Sequence, residues 1–390
     1  MPTMPRKRAL AAARGAASRK SGYNADPIIA GRASIRSQTD RERMDKNDRE
    51  RGIPPAEAAR RGRVLLHGTL LFLFAFVWIW TVLINDEWGD MYYHIRQGER
   101  FAAGEVPYRD FHLVTWPGLP FFLGLWFKLA GCSMASVHTI QALAGAASVL
   151  LAWLVARRVM QSPCLWIAPT GALASYVIGN EGIGHMAFSI TFALGALLCA
   201  VYADQSGRLR LWFAAGALAA LAGTCTQSVG ICLGLALVLA ALWGPRGARL
   251  RSAAMTILGA VPVLAVMFGG MALAGICLEF YDDTVVLTRE RYTPFVAGAG
   301  WGSWLPPWGL LKTLPGRWWP TWVPTFAVLW AGAYVYPLVI AYSAARGALK
   351  RDEPRVRRIL WIAGLALLVS AYPVGAPMRL ARLTVPFWVL

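Results

Sequence analysis

An acidic pair, Asp86-Glu87, follows Asn85 at the far end of the first long apolar run. Carboxylates at such a depth are rare in membrane proteins and are kept for chemistry or ion handling. The chemistry open to them is proton abstraction, because partial desolvation strengthens a carboxylate as a base. Other candidates lie further along. Asp90 comes one helical turn after Asp86, where solvated surface suits it better than a shared site. Arg109 and Asp110 suit a mutual pair that fixes a loop. Glu181 and His185, spaced i, i+4, would offer two metal ligands, but no third is evident. Asp282-Asp283 could bind a cation, although water suits them better. Arg289 and Arg291 carry the planar donors that fit either phosphate or lipid headgroups.

These residues need a membrane frame to position them. The chain has 390 residues, 56% hydrophobic and 15% charged, where a soluble domain carries about a quarter charged. The run Val64 to Asn85 holds no Asp, Glu, Lys or Arg and has about the 20 residues that a spanning helix needs. Further runs lie at 134–156, 163–179, 186–203, 211–226, 229–243, 253–277, 322–345 and 359–373, with a tenth beginning near 377. The fold class expected is therefore all-α, a polytopic transmembrane bundle of about nine to ten spans. Residues 1–63 carry 16 Lys/Arg against 7 Asp/Glu and show no apolar period, which reads as a disordered basic tail. Such a tail suits the anionic inner leaflet better than nucleic acid. Residues 64–390 form the membrane domain, and its end inside an apolar run reads as a truncation. The six cysteines show no CxxC or zinc spacing, so neither a disulfide framework nor a structural metal is expected.

Charge sets the orientation. With the tail cytoplasmic, the inner loops hold 13 Lys/Arg and 3 Asp/Glu, while the outer loops hold 10 and 11. That is the positive-inside pattern. Two outer loops are large, 86–133 and 278–321, so any chemistry belongs on the outer face. Trp301, Trp304, Trp308, Trp318, Trp319 and Trp322 in the second read as an interfacial aromatic belt.

The first outer loop reads as two interfacial helices. Trp88, Met91, Tyr92, Ile95, Glu99 and Ala102 share one helical face, with Asp90, His94, Gln97 and Arg100 toward the other. Gly104 and Pro107 would stop that helix. A second apolar segment, Leu113 to Ala130, is broken by Pro117 and Pro120.

Asp86-Glu87, Tyr92-Tyr93, Gly104, Pro107-Tyr108-Arg109-Asp110-Phe111, Pro117 and Gly131 form a pattern that resembles the GT-C type glycosyltransferases. Within them it is most similar to the branch of protein O-mannosyltransferases, lipid A aminoarabinose transferases and rhizobial lipopolysaccharide sugar transferases. Thr226-Gln227-Ser228-Val229-Gly230 resembles a short outer turn of the same branch. The resemblance implies a sugar donor carried on a polyprenyl phosphate and a lipid, glycan or protein acceptor. It implies Asp86 as general base with Glu87 beside it, and inversion at the anomeric carbon. Arg379, Gln227, Arg289 and Arg291 would then meet the donor phosphate, and Tyr92, Tyr108, Arg109 and Asp110 would form the substrate loop. No metal ligand and no cofactor are implied, although a divalent cation is compatible. The chain departs from the branch at Ala376 and Arg379, which stand where the family carries Asp and His.

The expected protein is thus a multi-pass enzyme of a bacterial inner membrane. Two other functions compete: a transporter or lipid flippase, and a degenerate, non-catalytic relative. Transport usually places charges inside spans, and the spans mapped here hold none. The substitution at Ala376 is the feature that speaks for the degenerate relative.

Overall fold

A computed structural model describes residues 55–83, 89–160, 163–178, 184–245, 247–292, 342–343, 345–346 and 354–370. Everything described there is helix or connecting loop, as the apolar runs required. The chain divides at His67/Gly68. Helix α1 is Pro55–Leu83, and its first turns carry an Arg61–Glu57 pair at 2.8 Å.

Past the division lie α2 Gly89–Ala102, α3 Gly118–Ala130, α4 Met134–Val159, α5 Ile167–Ile178, α6 His185–Ser206, α7 Leu209–Cys225 and α8 Gln227–Leu242. Then come α9 Arg249–Leu273, the short α10 Cys277–Tyr281, π-helical turns over Asp282–Val286 and Thr288–Tyr292, and α11 Arg355–Val369. Among the described residues, four helical stretches are long and apolar enough to cross a membrane: Ala59–Thr81, Met134–Val159, His185–Ser206 and Arg249–Leu273. Helices α3, α7 and α8 are apolar but shorter. Helix α9 leaves Leu258, Val261, Val266 and Leu273 exposed. An outward apolar row of this kind is a liability in water and an asset in lipid. The protein is an all-α, polytopic helical bundle.

The core lies where α4, α6, α7, α8 and α11 meet, around Val149, Leu194, Leu197, Trp212, Leu233, Leu237 and Leu360. Small residues let the backbones approach, which is how helices associate without a hydrophobic drive between them. A methyl group on Gly216 of α7 would land on the Thr256 carbonyl oxygen of α9, and one on Gly259 of α9 would land on the Phe213 carbonyl oxygen of α7. The crossing is thus reciprocal. Arg355 Nη1 of α11 lies 2.6 Å from Asp204 Oδ1 near the C-terminal end of α6.

The loop expected on the outer face after α1 differs from its sequence reading in two ways. Leu113–Pro117 is loop, and α3 begins at Gly118, because the prolines fit only the first turn of a helix. Helix α2 also buries part of the face expected to be solvated. His94 and Gln97 are 9% and 4% exposed, while Tyr92 stands 48% exposed. The cause is Gly98, where any side chain would strike Leu123 and Phe127 of α3. That gap draws the His94–Gln97–Phe101 side of α2 inward. Gly104, at φ +93°, ends the helical turn as expected.

Candidate functional site

The segment Glu105–Trp116 is folded as a tight, internally bonded loop. Tyr108 N–H donates to Phe111 O at 2.8 Å, and Asp110 N–H to Val106 O at 2.9 Å. Tyr108 holds φ +70°, a left-handed conformation that an aromatic residue rarely adopts. Its surroundings over-determine it. The side chain is 4% exposed, its hydroxyl donates to Thr115 O at 2.8 Å, and its ring meets Phe280 edge-on at 5.2 Å. Tyr108, Phe111 and Leu113 pack with Met271 and Ile276. The Glu105–Trp116 loop is therefore seated on the end of α9 and the start of the segment that follows it.

Charge completes the loop. Asp110 Oδ2 accepts Val106 N–H at 2.7 Å, and Asp110 Oδ1 accepts from Arg109 Nε at 3.2 Å. Arg109 and then the Val106 amide hold the Asp110 carboxyl below the usual carboxylate range, so it remains ionised. Arg100 pairs with Glu105, donates to the Asp110 carbonyl and sits 4.9 Å over the Phe111 ring. The expected Arg109–Asp110 pair is present, and it fixes the loop.

Gln227 has a similar task. Its Nε2 donates to Val114 O at 3.3 Å, tying the first loop to the start of α8. Tyr92 is exposed on α2, and Arg289 is exposed in the second loop. Asp86, Glu87, Glu181, Arg379 and the Trp301–Trp322 aromatic group lie outside the described residues, and the side chains of Asp90 and Arg291 are likewise outside the description. Among the described residues no three His, Cys, Asp or Glu side chains gather in a way that could hold a metal.

Two features had no signal in the sequence. The first is a polar thread below the loop: Gln97 Oε1 lies 3.3 Å from His94 Nδ1, His94 meets His185 edge-on at 5.8 Å, and His185 Nδ1 lies 2.8 Å from Thr226 Oγ1. The second is Asp283. Against the expectation of a water-facing residue, it is 6% exposed. Its carboxylate accepts His112 Nδ1 at 2.9 Å and Leu113 N–H at 3.0 Å. Burial pushes the Tyr93 and Tyr108 phenols upward, and the nearby Asp283 charge adds to both shifts. Both therefore stay neutral hydrogen-bond donors. Tyr93 uses its proton on His112 O at 3.2 Å.

Beside this loop is a cavity of about 740 Å³, walled by Pro117, Phe121 and Phe122 at the start of α3, by Leu221 and Thr224 of α7, and by Pro262 to Met271 of α9. Val106, Pro107 and Tyr108 close one side. Among the described residues the lining is almost wholly apolar, with Lys128 as its one basic residue and Glu105 as its one acid. Glu105 is already paired with Arg100.

Helices long and apolar enough to cross a bilayer, packed around an apolar cavity, define an integral membrane protein. Residues 115–269 match the family model described as dolichyl-phosphate-mannose-protein mannosyltransferase. The matched range begins after the Pro107–Phe111 stretch and takes in Pro117, Gly131 and the Thr226–Gly230 turn of the pattern. It covers less than half of the chain and supports a GT-C type glycosyltransferase. No curated protein sequence matches the chain. The solved archaeal oligosaccharyltransferase AglB from Archaeoglobus fulgidus, in complex with an inhibitory peptide and a dolichol-phosphate, is similar with TM-score 0.48 and 15% identity. The likeness covers 83% of this chain and 49% of that one, so this chain spans about half the length of AglB.

Proposed function

We propose that this protein transfers a sugar from a polyprenyl-phosphate donor to an acceptor hydroxyl at the outer membrane face. The observation that carries the proposal is the apolar cavity under the polar loop. A donor of this kind pairs a long hydrocarbon chain with a charged head, and the cavity and the loop offer one surface to each. The family match over 115–269 supports the same class of donor.

In this reading Asp86 takes the proton of the acceptor hydroxyl as that oxygen attacks the anomeric carbon. The bond from that carbon to the phosphate oxygen breaks on the opposite side, the electron pair leaves with the lipid phosphate, and the configuration inverts. Glu87 supports the base. Arg379, Arg289 and Arg291 meet the phosphate, whose developing charge needs fixed donors. Gln227 acts by holding the Val114 carbonyl. Tyr108, Arg109 and Asp110 keep the loop in shape, and Tyr92 offers an exposed ring to the acceptor. The charge alternation along the chain supports a cytoplasmic N-terminus and an outer-facing site in a bacterial inner membrane.

Gly270 provides the test. It lines the cavity, and a side chain begun there meets nothing within 4 Å. Gly270→Phe should therefore fill the cavity without moving the backbone. The expected result is a KM for the lipid-linked donor raised about 10-fold, the worth of roughly 1.4 kcal/mol of lost chain burial, with an unchanged melting midpoint. An unaltered KM would remove the cavity from donor binding.

A further inference from the structure

His112 and Asp283 are 171 positions apart in sequence, yet the fold binds them together at 2.9 Å. The His112 side chain is 83% exposed and the Asp283 side chain 9%. Both Asp283 oxygens are engaged, one by the ring and the other by the Leu113 amide and the ring. The backbone of His112 is held from the other side by the Tyr93 hydroxyl. A buried carboxylate that accepts from Nδ1 fixes the ring's orientation and its tautomer. It leaves Nε2 on the exposed edge. A contact that only joined two loops would need one donor atom. Here a second ring nitrogen is aimed outward by a carboxylate that is costly to bury.

The pair is tied to the cavity wall through its neighbours. Tyr108 and Pro117, on either side of His112, line the cavity, as does Ile276 just before Asp283. Leu113, next to His112, packs with Met271 and Ile276. An amphiphile with its chain in the cavity would thus bring its head to the loop that carries His112. In the charged ring both nitrogens donate. Nδ1 is committed to Asp283, and Nε2 remains for an anion.

We propose that His112, oriented by Asp283, is a phosphate-binding residue that, as an imidazolium, donates from Nε2 to the head of a polyprenyl phosphate. This rests on the lipid-donor reading above and adds a head-group contact from the described residues. The chemistry recognised is a phosphate oxygen, which a lipid or free phosphate could supply.

The experiment measures binding of polyprenyl monophosphate, and of the uncharged polyprenol, to the full chain in lipid nanodiscs. Two variants separate the ring nitrogens. His112→Asn places an amide nitrogen where Nδ1 stood, keeps the bond to Asp283 and removes Nε2. His112→Gln places its amide nitrogen near Nε2 and gives up the bond to Asp283. His112→Asn should keep the parent's melting midpoint and polyprenol binding but lose about 10-fold in affinity for polyprenyl monophosphate, the scale of one charge-assisted hydrogen bond. His112→Gln should melt lower and bind the phosphate better than the Asn variant does. Parental affinity in His112→Asn would overturn the assignment and leave the pair as a clasp. Displacement of the lipid by equimolar inorganic phosphate would overturn the choice of a lipid head. A parent protein that binds neither lipid would sink the donor reading itself, a result distinct from failure at His112.

Discussion

Asp86→Asn is expected to cut turnover by about 10² to 10⁴, the usual worth of general-base catalysis. Asn preserves the shape of the side chain and removes its capacity to accept a proton, so donor binding should survive. The loss should therefore appear in kcat, with KM for the lipid donor little changed. Glu87→Gln should cost less, since adjacent positions on a helix point about 100° apart and both need not face one substrate. The comparison is steady-state turnover of correctly inserted parent and variant in the same lipid. Near-parental turnover in Asp86→Asn would take Asp86 out of the mechanism and turn attention to Glu87 and Asp110.

Gly216→Leu is expected to be the most damaging change to the bundle. Its first side-chain carbon would meet the Thr256 carbonyl, a backbone atom that cannot rotate aside. Helices α7 and α9 would have to separate. Overpacking typically costs about 1 to 3 kcal/mol when side chains can adjust, and here the obstacle is main chain. The variant should show at least 3 kcal/mol of destabilisation, about the top of that range, together with a low yield of folded protein. Gly259→Leu meets the same crossing from the other helix, through the Phe213 carbonyl, so the double variant should cost less than the sum of the two. Gly269→Leu is the control, because nothing lies within 4 Å of a side chain begun there. Thermal unfolding in one detergent, followed by tryptophan fluorescence, checks the series. Equal melting of the Gly216 and Gly269 variants would contradict the close crossing.

The sequence made the helices legible because long apolar runs admit few alternatives in lipid. The amphipathic helix expected after Asp86 is present as α2, and the Pro117 break falls at the start of α3. Side-chain roles were harder to read. His94 and Gln97 looked solvated on a helical wheel, yet the absent side chain of Gly98 lets α3 press against that side and bury them. Asp283 looked like one half of an acidic surface pair. Its partners, His112 and the Leu113 amide, lie in another loop, and no local periodicity encodes a contact across that distance. Gln227 was expected at the donor phosphate, and its bond to the Val114 carbonyl joins residues 113 positions apart that no local pattern relates. Conversely, Arg109 and Asp110 were read correctly as a pair, because neighbouring opposite charges in a short loop need no tertiary information to meet.

The central claim is transfer of a sugar from a lipid phosphate, and one measurement bears on it directly. The full chain is purified, placed in bilayers with an extract of envelope acceptors, and supplied with radiolabelled sugar carried either on polyprenyl phosphate or on a nucleotide. The account predicts label passing to an acceptor from the polyprenyl-phosphate donor, release of polyprenyl phosphate in equal amount, and no transfer from the nucleotide sugar in the absence of a lipid intermediate. Transfer from the nucleotide sugar alone, with the lipid-linked donor left intact, would contradict it.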